Sequence, residues 1–78
     1  MNVIIKSRFV KEEEKLKNPL VSRQIAEVIL AVRAAETLHN IPSLKRLKGA
    51  VAYRIRISDY RIGVLIEDDN VEFIPISV

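Results

Sequence analysis

The sequence contains no cysteine and no tryptophan, and only two glycines, three prolines and one histidine in 78 residues. Without cysteine there is no disulfide framework, no thiol nucleophile and no thiolate metal site. A single imidazole, His39, supplies neither a metal site nor a hydrolytic triad, so no metal or other cofactor is expected. Aromatic side chains are few: Phe9, Tyr53, Tyr60 and Phe73. That is thin material for a module that reads RNA by stacking bases on an exposed aromatic surface. Long apolar runs are also missing. The best, Ile25 to Val32, is broken by Glu27 and followed by Arg33, which excludes a membrane span. The opening MNVIIKSRFV reaches charged residues too quickly for a secretory leader, so a cytoplasmic location is expected. No repeat, linker or low-complexity tract interrupts the chain, and residues 1–78 read as one domain.

What is present is an apolar fraction of 49% and a charged fraction of 29%, the balance of a soluble globular domain. A domain this small buries about 60–65% of its unfolded surface, so its core is thin. The formal charge is +3, and its distribution is uneven. Between Leu44 and Arg61 stand Lys45, Arg46, Lys48, Arg54, Arg56 and Arg61 against Asp59 alone, a net +5. The remaining seven basic and nine acidic residues give the rest of the chain a net −2. A concentrated basic segment on a mildly acidic body calls for an anionic partner.

The order of elements follows from periodicity and punctuation. The β-branched content of Asn2 to Lys6 predicts a short strand. Ser7 is placed to cap a helix starting near Arg8, with the run KEEEK as its solvated face. Asn18–Pro19 predicts the start of a second helix reaching to about His39. Its apolar stripe is Val21, Ile25, Val28, Val32 and Ala35, and Asn40 and Pro42 end it. His39 is then a helix-end residue, favourable against the dipole. AYRIRIS, YRIGVLIE and NVEFIPIS read as three strands of a meander, with turns at Ser58–Asp59 and at Asp68–Asp69 or Asp69–Asn70. The expected fold is α+β: an N-terminal strand, a helical hairpin, then a three-stranded antiparallel meander, with the helices on one sheet face.

The stretch YRIRISDYRIG carries the chemistry. A two-residue loop at Ser58–Asp59 sets Arg56 opposite Arg61 and Arg54 opposite Gly63. Tyr53, Ile55, Ile57, Tyr60, Ile62 and Val64 then share the core face. The other face collects Arg54, Arg56 and Arg61, with Gly63 as an open spot. Like charges directly opposite each other disfavour the sheet by about 0.2–1 kcal/mol, so the arrangement needs an anionic neighbour. Two are available: Asp59, Glu67 and Glu72 in screened surface pairs, or a polyphosphate gripped by the guanidinium forks. Lys45, Arg46 and Lys48 either extend this cationic surface or serve solubility. In the last strand, Ile74 and Ile76 are expected beside Leu65 on the arginine face, a small apolar patch that a partner would cover.

The pattern LKRLKG followed by YRIRISDYRIGVLIEDDNVEFIPIS, after a strand and a helical hairpin, resembles the RelE/ParE superfamily, toxins of type II toxin–antitoxin systems. The element order matches over essentially the whole chain. The resemblance implies a ribosome-dependent mRNA endoribonuclease, or mRNA interferase, that inhibits translation without a metal. In such enzymes the ribose 2′-hydroxyl attacks the adjacent phosphorus. Carried over, Arg61 would stabilise the developing charge, while Arg54 and Arg56 would hold phosphates or influence proton transfer. An arginine with a pKa above about 12 is a poor general base. The implied partners are mRNA on the ribosome and a cognate antitoxin, joined in a hetero-oligomer. Family members usually continue past the last strand with a tail carrying arginine and tyrosine; here Val78 is the last residue. A catalytically weakened antitoxin-binding protein and a ParE-like gyrase inhibitor are the alternatives.

Overall fold

The computed structural model describes residues 1–47 and 52–74. Strand β1 is Asn2–Ile5, helix α1 Ser7–Leu16 and helix α2 Pro19–Ala34; a 3-10 turn follows at Leu38–Asn40. Strands β2 (Leu44–Arg46), β3 (Ala52–Ile57), β4 (Tyr60–Glu67) and β5 (Asn70–Phe73) complete the fold. The sheet has five strands in the order β1-β5-β4-β3-β2. β1 runs parallel to β5, and the other three pairings are antiparallel.

The α+β class and the helices on one face agree with the sequence pattern. The strand count does not: the meander has four strands, because Leu44–Arg46 pairs with β3. Three residues are too few to show a period of two, and two of the three are basic. Lysine and arginine on a short edge strand also discourage pairing with another chain.

Helix α2 rests on Val21, Ile25 and Val32, all at most 2% exposed, with Ala35 just beyond its end and Val28 half-buried. Asn18 caps it as expected, its Oδ1 accepting from the Val21 N–H at 3.3 Å. It stops at Ala34, short of His39. The Asn40 Oδ1 accepts from the Thr37 N–H at 3.2 Å and the Thr37 hydroxyl at 3.0 Å, closing a separate turn that carries His39. The Met1 amino group donates to the α2 carbonyls of Val32 and Arg33 and to that of Ala35, at 3.4, 3.2 and 2.9 Å. Carbonyls without helical partners are thereby satisfied. Helix α1 begins one residue earlier than expected. Lys6 holds its N-cap position with no side-chain bond, so Ser7 is not the cap.

Between the layers, Phe9 of α1 meets Phe73 of β5 edge to face, with ring centroids 5.7 Å apart and an interplanar angle of 71°. Ile55, Ile57, Ile62, Val64, Ile66 and Val71 complete the sheet's share of the core. Tyr53 and Tyr60 pack against it, half-buried. Among the described residues no helix is long and apolar enough to cross a membrane.

Candidate functional site

The β3–β4 hairpin has the two-residue loop that its sequence predicts. Ile57 pairs with Tyr60, Arg56 with Arg61, Ile55 with Ile62 and Arg54 with Gly63. Ser58 takes the left-handed conformation, φ 54°, which lets the chain reverse in two residues. Because side chains alternate, the buried isoleucines leave Arg54, Arg56 and Arg61 together on the face away from the helices. Arg56 and Arg61 are exposed and Arg54 is half-buried.

Strand β2 adds a member that the sequence pattern did not register there. Lys45 pairs with Arg54 and so stands on the same outer face. Arg46 pairs with Tyr53 and projects to the helix side. It is not brought together with the three arginines. Lys48 lies outside the described residues.

Gly63 is not an open spot. A Cβ built there would meet Ile74 Cγ1 at 2.6 Å and would also collide with Ile74 Cδ1. The Ile74 N–H donates to the Gly63 carbonyl at 2.9 Å, extending the β4–β5 ladder past Phe73. Leu65 faces Glu72 instead. Ile74 is therefore beside Gly63 and not beside Leu65; the two-residue loop Asp68–Asp69, which pairs Glu67 with Asn70, sets this register. Ile76 lies outside the described residues.

Among the described residues, the arginine face has no anion of its own. The ion pairs are Lys6–Glu72 at 3.5 Å and Lys15–Glu12 at 3.4 Å, and neither involves an arginine. Arg56 Nε donates only to the Ser58 carbonyl, at 3.3 Å. Asp59, Glu67 and Glu72 do not provide the surface pairs that were one of the two expected sources of compensation.

Among the described residues Asp59 sits in the hairpin loop without an ion pair, and Glu67, Asp68 and Glu72 are gathered at the other end of the same face. There Ile4, Leu65, Glu67, Asp68, Asn70 and Glu72 line an open cleft of about 340 Å³. Arg61 and Glu67 sit six residues apart on one strand, a separation of about 20 Å at strand rise. That pair is more than two Debye lengths apart at physiological salt, and among the described residues no carboxylate of this end is ion-paired to an arginine. The outer face is bipolar, with Lys45, Arg54, Arg56 and Arg61 at one end and carboxylates at the other. Exposed Leu65 and Ile4 lie beside the acidic end, and exposed Leu47 bonds to the Ala52 carbonyl opposite Leu65. No group of metal-binding side chains forms among the described residues.

Four adjacent cations, with half-buried Ile74 between them and the carboxylates, form a positively charged surface. Each free guanidinium offers a planar donor fork, and Lys45 offers a rotatable point charge.

No protein-family model matches the chain, and no curated protein does. Solved structures do. A chain in the crystal structure of a RelB–RelE antitoxin–toxin complex from Methanococcus jannaschii superposes with a TM-score of 0.80 at 25% identity, over 95% of this chain and 87% of that one. The solution structure of a conserved hypothetical protein from Helicobacter pylori gives 0.57 at 25% identity, over 99% of this chain and 92% of that one. The fold is that of a protein from a toxin–antitoxin complex, and this likeness links the chain to such systems.

Proposed function

We propose that this chain is the toxin of a type II toxin–antitoxin pair, of the RelE kind, and that it cuts mRNA on the ribosome. The observation that carries the reading is the uncompensated outer face: Arg56 opposite Arg61 and Arg54 beside Lys45, with no carboxylate among the described residues paired to any of them. An RNA backbone offers such a surface a row of phosphates. The 2′-hydroxyl of one ribose attacks the adjacent phosphorus. A P–O2′ bond forms, the P–O5′ bond breaks, and the products are a 2′,3′-cyclic phosphate and a 5′-hydroxyl. Charge develops on the phosphoryl oxygens, where Arg61 acts as electrostatic stabiliser. Arg54 and Lys45 hold a neighbouring phosphate. Arg56, drawn to the turn by the Ser58 carbonyl, holds another. Pre-placed cations need no reorganisation at the moment of reaction.

The protein partner is an antitoxin. An acidic segment laid on the arginines would satisfy them and compete with RNA.

A second reading is a protein of the same fold that binds its partner, or RNA, without cutting. One observation favours it. Among the described residues no carboxylate lies within ion-pair distance of Arg54, Arg56 or Arg61, and His39 is on the other side of the sheet, so no proton acceptor is held against the arginines.

The test is a reconstituted translation reaction with mapped mRNA ends. The first reading expects cuts within the ribosomal A site leaving 5′-hydroxyl ends, reduced about 100-fold or more by Arg61→Ala. Absence of cutting, with retained binding of RNA or of an acidic partner, establishes the second reading. Inhibition of DNA gyrase in place of mRNA cleavage overturns the RNA assignment.

A further inference from the structure

Beyond the outer face, the helix side of the sheet carries a second cationic site. Where β2 forms the sheet edge, the 3-10 turn folds beside it and leaves an open cleft of about 360 Å³. Its apolar lining is Leu38, Ile41 and Leu44; its polar lining is His39, Ser43, Arg46 and Tyr53. No carboxylate is among these residues. Ile41 is buried, and Leu38, Leu44 and Tyr53 pack on the core, so the base of the cleft is rigid. Arg46 and His39 are exposed, and Arg46 forms no ion pair among the described residues. Ser43 holds a left-handed backbone, φ 57°, a conformation that disfavours a serine and that structures retain where the surroundings demand it.

We propose that this cleft receives one nucleotide of the RNA strand whose phosphates lie on the outer face. Arg46 holds the phosphate, and the rings of Tyr53 and His39 supply a surface for the base. The strand β2 edge makes the two sites continuous. Lys45 and Arg46 are neighbours in sequence but project to opposite sides of the sheet, so a single strand of RNA passing over this edge meets a cation on each side. A planar base suits two ring side chains above an apolar floor better than an acidic peptide does, since a peptide carboxylate requires only the cation. The inference rests on the reading that the outer face engages RNA.

The test uses the full chain and a seven-nucleotide single-stranded RNA, followed by amide shifts and by the salt dependence of binding. The expected result is shifts at Ser43, Arg46 and Tyr53 as well as at Arg54, Arg56 and Arg61. Arg46→Ala should abolish the cleft shifts, keep the outer-face shifts, and lower the salt slope by about 0.7, the loss of one single-strand phosphate contact. Tyr53→Phe, which keeps the ring and its packing, should retain the cleft shifts. Arg61→Ala should spare the cleft shifts and weaken those of the hairpin. Shifts confined to the outer face, with a slope unchanged by Arg46→Ala, overturn this inference and leave the outer-face reading standing. RNA that shifts neither face overturns both. Cleft shifts produced by an acidic peptide but not by RNA reassign the cleft to a protein partner and overturn the nucleotide.

Discussion

Ile74 occupies the space that a side chain at position 63 would need: its Cγ1 lies 2.6 Å from where a Cβ on Gly63 would stand, and its N–H donates to the Gly63 carbonyl. A side chain here would have to displace Ile74, which lies across the glycine on the same face as the arginines. Arg54 consequently stands between Lys45 on one neighbouring strand and the covered Gly63 on the other.

Gly63→Ala should therefore destabilise the fold by about 1–2 kcal/mol, the usual range for overpacking. In an Ile74→Ala background the same change should be nearly neutral. A double-mutant cycle in urea measures the coupling. Equal penalties in both backgrounds would show that Ile74 is not what excludes the side chain.

Arg56 and Arg61 face each other, and among the described residues neither forms an ion pair. Replacing Arg61 with Thr, a better strand residue, should stabilise the free protein by about 0.2–1 kcal/mol. The gain should shrink at high salt, where the repulsion is screened. The same variant should lose RNA affinity. Urea midpoints at two ionic strengths, set beside binding measurements, test this opposition of stability and function. A destabilised Arg61→Thr would mean that the arginine pair is internally compensated.

The turn between the helices places Lys17 in the left-handed conformation, φ 48° and ψ 38°, at the position where helices ordinarily end in glycine. Lys17→Gly should raise stability by about 0.5–1 kcal/mol. Thermal unfolding of the two proteins, at matched pH and salt, is the measurement. No change or a loss would show that the lysine side chain makes a compensating contact.

Glu13 is a titrating group that the fold perturbs. Burial, and secondarily the adjacent Glu14 charge, push its carboxyl above the usual value. A carboxyl whose folded pKa is raised opposes folding when ionised. The native state holds its proton more readily than the unfolded state, so this contribution is absent at low pH, where both states are protonated, and turns unfavourable as pH rises through the ordinary glutamate range. Glu13→Gln should thus be more stable than the parent at pH 7, with the difference diminishing toward pH 3. Chemical denaturation at the two pH values measures it, and a difference that grows on acidification would reverse the assigned sign.

Local chemistry made much of the arginine site legible. The loop Ser58–Asp59 and the strict alternation of YRIRI determine that Arg54, Arg56 and Arg61 share a face, because a two-residue hairpin admits one register and isoleucine belongs inside. The stripe Val21, Ile25, Val32 and Ala35 likewise determined which side of α2 meets the sheet. Other features depended on contacts distant in sequence. Leu44–Arg46 has no periodicity of its own and is a strand only because β3 offers an edge. That pairing separates Lys45 from Arg46, sending one cation to the outer face and the other to the cleft with His39 and Tyr53. Helix α2 ends before His39 because Thr37 and Asn40 close their own turn. Ile74 covers Gly63 through the β4–β5 register, where residue-type alternation alone assigned a face but not a neighbour. Residue order alone assigns each side chain its face, since burial follows side-chain period. Which cations stand together was decided by the tertiary structure, because strand pairing joins residues that no local pattern connects.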